Sequence, residues 1–144
     1  MATKKTQPKA KPESITMANK DIAMAHEALL ALAQMRVPTQ TAMKVRRLAR
    51  AVGPIAEDMQ EERRKLIRQH GDLDEHGEVQ SDDAGKILFK TDDDREAFTA
   101  AMKELLDLQT TLELQPLRAT EIGVKEIQPS VLVALGDLLV DDLD

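Results

Sequence analysis

The chain has 144 residues, 42% of them hydrophobic and 32% charged, and a net charge of −6, a mix that suits one soluble domain with a compact core and argues against disorder throughout. It has no cysteine, which excludes disulfides, thiolate catalysis and cysteine-ligated zinc, and no apolar run nears the roughly 20 residues that span a bilayer. With no Trp, no Tyr and only Phe89 and Phe98, it lacks aromatic platforms for stacking single-stranded nucleic acid and the aromatic anchors common at binding hot spots.

Charge is unevenly placed. Residues 1–16 sum to +3, through Lys4, Lys5, Lys9 and Lys11 against Glu13, so the remaining 128 residues sum to −9. Two prolines and few apolar side chains make residues 1–17 read as a disordered basic arm without the apolar run of a secretion signal. Residues 18–142 read as a single mainly helical domain, and the last residues, DDLD, as a short acidic tail.

A first helix is expected from about Lys20 to Arg36, with Asn19 as its N-cap, Ile22, Ala25, Leu29, Leu32 and Ala33 on one side, and Pro38 ending it. A second and longer helix is expected over about 39–69. Val45, Leu48, Val52, Ile55, Met59 and Leu66 recur at spacings of three and four, a heptad-like stripe suited to a helical hairpin. Gly53-Pro54 interrupts this segment while the stripe stays in phase, which fits a kink and leaves two shorter helices as the alternative.

Residues 70–91 form a polar connector with two glycine-containing turns and a small β-hairpin through 78–80 and 86–90. Thr91 with Asp94 resembles a capping box opening a third helix over about 92–108, with Phe98, Met102, Leu105 and Leu106 on its buried side, antiparallel to the second. Two short strands follow, through Leu112 and Leu114 and through Ile122, Val124 and Ile127. Pro129 opens a last helix carrying Val131, Leu135, Leu138 and Leu139. No internal repeat is evident. The expected fold class is therefore mainly α: a long antiparallel helical hairpin with a small β element and a C-terminal helix.

Candidate chemistry is sparse. Asp72, Asp74 and Gly77 match positions one, three and six of a calcium loop, with Asp83 at position twelve, but His76 at position five is a poor ligand for a hard cation. These three aspartates are the weak candidates for a divalent-metal module. His70 and His76 beside them could hold a transition metal, though turn residues explain them as well. Arg46, Arg47, Arg50, Arg64, Lys65 and Arg68 lie opposite the apolar stripe, interrupted by Glu57, Asp58 and Glu61, with Glu61 and Lys65 spaced to pair. Lys4, Lys5, Lys9, Lys11, Arg46, Arg47 and Arg50 are the candidate nucleic-acid contacts. No catalytic residue and no cofactor site is indicated; there is no phosphate-cradling glycine loop, and His26 has no nucleophile to pair with.

The order of features resembles a family of small proteins of unknown function encoded by tailed bacteriophages and prophages. It runs from a short helix broken at VP, through a long charged helix ending ERRKLIRQHG, the acidic turn GDLDEHGEV and the segment KILFKTDDDREAFTAAMKELLDLQ, to the strand TLEL and a leucine-rich terminal helix, over about residues 18–142. The basic arm and the Gly53-Pro54 step depart from that pattern. The resemblance implies a phage product acting in the cytoplasm of an infected bacterium or in the virion, and it carries no functional residues. The leading expectation is a non-enzymatic interaction or structural protein whose partner is a phage or host protein or a second copy, with Val45, Leu48, Val52, Ile55, Met59 and Leu66 as the interaction stripe. A nucleic-acid-associated accessory protein and a divalent-metal module are the alternatives, and no membrane association is expected.

Overall fold

The computed structural model describes residues 13–123 and 127–140, so Lys4, Lys5, Lys9 and Lys11, Val124 and the acidic tail lie outside the described residues. The chain is mainly α. In order, it forms β1 (Glu13–Ala18), α1 (Asn19–Ala33), α2 (Thr39–His70), α3 (Asp92–Asp107), β2 (Gln109–Leu114), β3 (Leu117–Arg118), α4 (Ala119–Ile122), α5 (Pro129–Leu135) and β4 (Leu139–Val140), with a 3₁₀ turn over Gly136–Leu138. None of the described helices is long and apolar enough to cross a membrane.

The core is built from the apolar sides of α1, the first half of α2 and the C-terminal segment. Ile22, Ala25, Leu29 and Leu32 of α1 face Val45, Leu48 and Val52 of α2, and Leu117, Leu135 and Leu138 close the space. Residues 13–17, expected as part of a disordered arm, instead form most of β1. The reason is alternation: Ile15 and Met17 turn inward, and β1 pairs antiparallel with β2, Ile15 opposite Leu112, Met17 opposite Thr110 and Glu13 opposite Leu114. On the outer face the hydroxyls of Thr16 and Thr111 share a hydrogen bond of 2.9 Å.

Asn19 is not the N-cap of α1. Ala18 holds that position without a side-chain bond, and Asn19 is the first helical residue, buried. Its Nδ2 donates to the Leu105 carbonyl (3.0 Å), its Oδ1 accepts from the Thr110 hydroxyl (2.8 Å), and its backbone N–H donates to the Leu108 carbonyl (2.8 Å). A buried amide earns its place through such partners. Here they tie the start of α1 to the end of α3.

α2 runs unbroken through Gly53-Pro54. Pro54 has no N–H to offer the Arg50 carbonyl, a loss that the packing on both sides of it tolerates. Gly53 has a spatial role: a Cβ there would stand 3.3 Å from Nε2 of the half-buried His26 on α1.

Near the C-terminus, Ile122 lies on the helical turn α4 and not on a strand. Thr41 donates its hydroxyl to the Glu121 carbonyl (2.9 Å), and one Glu121 carboxylate oxygen meets both Lys44 Nζ (2.9 Å) and the Arg118 N–H (3.1 Å). These bonds lock the turn against α2. The last helix opens at Pro129 as expected but stops at Leu135, because Gly136 adopts a φ of 54° that turns the chain into β4, parallel to β3.

Candidate interaction surface on the helical stalk

Beyond the core, Ala23, His26 and Glu27 of α1 still border residues 56–62 across an open cleft, while the second half of α2 is joined by α3, which folds back along it. The two helices form a stalk. Its far end is closed by the Lys90 N–H to the His70 carbonyl (3.3 Å), and His70 Nδ1 lies 3.0 Å from Asp94 Oδ1. Thr91 caps α3: its Oγ1 accepts from the Asp94 N–H (3.1 Å) and its hydroxyl donates to Asp94 Oδ2 (3.0 Å). His70 first and Thr91 second hold the Asp94 carboxyl below its ordinary value, His70 and Lys90 add electrostatic attraction, and partial burial works against them.

The tip is more regular than a hairpin. Asp74 accepts from the N–H groups of His76 and Glu78 through one carboxylate oxygen, and Asp82 does the same for Ala84 and Lys86. Gly77 and Gly85 complete the two turns with φ near 80°, a conformation that costs other residues about 1–2 kcal/mol. Between the turns, three backbone bonds form a ring at eight-residue spacing. The Asp72 N–H donates to the Leu88 carbonyl, Gln80 to Asp72 and Leu88 to Gln80, at 2.8–2.9 Å. Isolated bridges join Leu73 to Val79, Ser81 to Ile87 and Gly71 to Phe89 in the same pattern. The connector is thus an internal repeat, with the stalk standing where a third turn would be.

This geometry relocates the predicted site residues. The Asp74 carboxylate is engaged by backbone N–H groups, Asp83 sits on the second turn, and among the described residues no group of three or more His, Asp or Glu is placed to hold a metal ion. Asp74 and Asp83 are therefore turn residues, Asp72 belongs to the backbone ring between the turns, and the three are not gathered into a ligand set. The apolar stripe divides. Val45 (0% exposed), Leu48 (2%) and Val52 (0%) lie in the core and offer nothing to a partner, because α1 covers them. Met59 is buried, and Ile55 and Leu66 are half-buried.

The most exposed large apolar side chains among the described residues, Val133, Leu108, Met43, Met24 and Leu30, lie outside α3; α3 itself carries an apolar side that is only partly covered. None of its residues is fully buried, although Phe98, Ala101, Met102, Leu105 and Leu106 are apolar and half-buried. One neighbouring helix can cover only one flank of such a face. Phe98 packs on Phe89 of the tip with ring centres 5.2 Å apart, and Arg95 lies over the Phe89 ring at 5.9 Å. α1 meets α3 at its C-terminal end, through Asn19 and the Lys20–Asp107 ion pair (3.3 Å).

The charged side of α2 also divides. In the stalk, Arg64 pairs with Glu61 (3.3 Å) and Lys65 with Glu62 (3.6 Å), so the expected Glu61–Lys65 pair is replaced by two pairs at a spacing of three. Arg46, Arg47 and Arg50 are exposed and make no ion pair among the described residues. A cleft of about 910 Å³ between α1 and α2, lined by His26, Glu27, Glu57, Asp58 and Met59 among others, is of mixed charge. No protein-family model, no curated protein and no solved structure matches this chain.

Proposed function

We propose that this chain is a phage-encoded, non-enzymatic interaction protein, a structural or accessory component that works by presenting its helical stalk to a partner. The observation that carries this reading is the half-covered apolar side of α3. A helix that places Phe98, Met102, Leu105 and Leu106 on one side and buries none of them fully has apolar surface to gain from a further helix. The likeness of residues 18–142 to small proteins of tailed phages supplies the biological setting.

The partner of first resort is a second copy of the chain. Two stalks laid side by side make a four-helix bundle, in which the open flanks of both α3 helices enter one core. The rigid tip and the Asn19 anchor hold the two ends of α3 in place, so little conformational entropy is lost on association.

Size-exclusion chromatography with light scattering tests this, with refractive-index detection because the chain has no Trp or Tyr. The expected result is a discrete oligomer that persists in high salt and falls to the 16.0 kDa monomer in a Met102→Glu, Leu106→Glu variant that keeps its helical circular dichroism. A wild-type chain that stays monomeric at every concentration contradicts the proposal.

A further inference from the structure

Charge is sorted along α2. Its first half carries Lys44, Arg46, Arg47 and Arg50 and has no acidic residue before Glu57. Met43, Arg46, Arg47 and Arg50 follow the spacing of one helical side, and all four are exposed. Lys44 is engaged by Glu121, and Glu13 and Glu113 border the area, but Arg46, Arg47 and Arg50 make no ion pair among the described residues. Residues 63–71 lack acids too, with Arg63, Arg64, Lys65 and Arg68, but there Arg64 pairs with Glu61 and Lys65 with Glu62, so the stalk is mixed in sign. The tip is different. Residues 71–94 hold nine acidic residues against Lys86 and Lys90. The eight-residue repeat sets Glu75 and Asp83 at corresponding positions of its two turns, and both are exposed, as is Glu78. Asp74 and Asp82 are engaged by backbone N–H groups and Glu75 lies 3.7 Å from His76, but Glu78 and Asp83 make no ion pair among the described residues.

From this separation of charge we infer that the arginine face of α2 receives the acidic tip of a second copy of the chain, in a head-to-tail contact. Arginine forks suit carboxylates, and the two surfaces are complementary in sign. They cannot meet within one molecule, because about 30 Å of unbroken helix separates Arg50 from His70 at the foot of the tip. That span is several times the screening length of about 8 Å at physiological salt, so two copies at contact respond to the facing patches more than to the net charge of −6. Both surfaces are preformed. The arginines stand on a helix anchored in the core by Val45, Leu48 and Val52, and the turns of the tip are closed by backbone bonds, so few groups need ordering on contact. Because tip and arginine face are different surfaces, each copy keeps one of each free, and the association extends until it closes on itself. The inference is independent of stalk association, which rests on apolar surface and is read in high salt.

The test is sedimentation velocity of the full-length chain, followed by interference optics, at about 20 and about 500 mM salt. In low salt the sedimentation coefficient should rise with protein concentration beyond the value of the high-salt species. Arg46→Gln, Arg47→Gln, Arg50→Gln in one variant, and Glu75→Gln, Glu78→Gln, Asp83→Asn in another, should each lose that rise while keeping helical circular dichroism. Mixed in equal amounts the two should regain association but stop at a single tip-to-face contact, since one supplies only an intact tip and the other only an intact face. Glu27→Gln, Glu57→Gln, Asp58→Asn, which removes as much charge from the cleft between α1 and α2, should behave like wild type. Wild-type sedimentation that is the same at both salt concentrations overturns the inference. A mixture that stays like its components also overturns it, and so does equal loss in the cleft variant. A labelled DNA duplex bound in low salt by a wild type that does not self-associate there, and not bound by the arginine variant, overturns it in favour of a phosphate backbone as the occupant.

Discussion

Gly53 illustrates how a single residue fits two constraints at once. Inside a helix, glycine costs about 1 kcal/mol relative to alanine, so its presence in α2 needs a reason. The reason is His26, whose Nε2 stands 3.3 Å from where a Cβ would be, tighter than most carbon contacts allow. Gly53→Ala should therefore stabilise a His26→Ala background by about 1 kcal/mol and the wild type by clearly less. Urea unfolding followed by circular dichroism measures both. Equal gains in the two backgrounds would show that His26 yields freely. Asn19 makes the complementary point about legibility. Its residue type and position read as an N-cap, yet its three bonds go to Leu105, Leu108 and Thr110, some ninety residues away. Local chemistry shows that an amide needs partners at this point in the chain, but not where those partners come from.

At the scale of elements, helices were the legible part because their signals are local. The Thr91–Asp94 cap and the first-turn aspartates specify the start of α3, and Pro129 that of α5. The joint between stalk and tip gives a pH prediction. Asp94 holds its proton less tightly in the folded chain than its ordinary value of 3.8, chiefly through His70 and then Thr91. Its stabilising contribution is therefore complete above that value and is lost as pH falls through the lowered folded one. The difference in melting temperature between wild type and Asp94→Asn should accordingly stay level near neutral pH and close as the medium is acidified below about pH 4. A gap that stays constant down to strong acid would show that the Asp94 charge adds nothing to the joint. β1 was illegible for the opposite reason. Its partner strand lies beyond α1, α2 and α3, and six residues among lysines and prolines carry too little pattern to announce a strand. The tip repeat was equally hidden. Asp and Gly recur at 74 and 77 and again at 82 and 85, with Val79 and Ile87 in step, but most positions between differ, and the ring that relates them is made of backbone atoms.

For the whole molecule, the lesson concerns what a periodic stripe can tell. Spacings of three and four along α2 show that one side is covered. They do not show by what, and in the structure α1 covers the first half while α3 lies along the second, with Ala23, His26 and Glu27 of α1 still bordering residues 56–62. The candidate interaction residues Val45, Leu48 and Val52 are thus core, while Phe98, Met102, Leu105 and Leu106 on the covering helix α3 stay half-buried. Among the metal candidates, Asp74 closes a turn and gives one carboxylate oxygen to the N–H groups of His76 and Glu78, and the described residues gather no set of three ligands around it.

The central claim is that the stalk is completed by another helix, and amide hydrogen exchange along α3, compared at low and high protein concentration, tests it most directly. The account predicts that protection across Phe98–Leu106 rises with concentration while that of Ile22–Leu32 in the core of α1 stays unchanged. Exchange in α3 that is the same at both concentrations would contradict it.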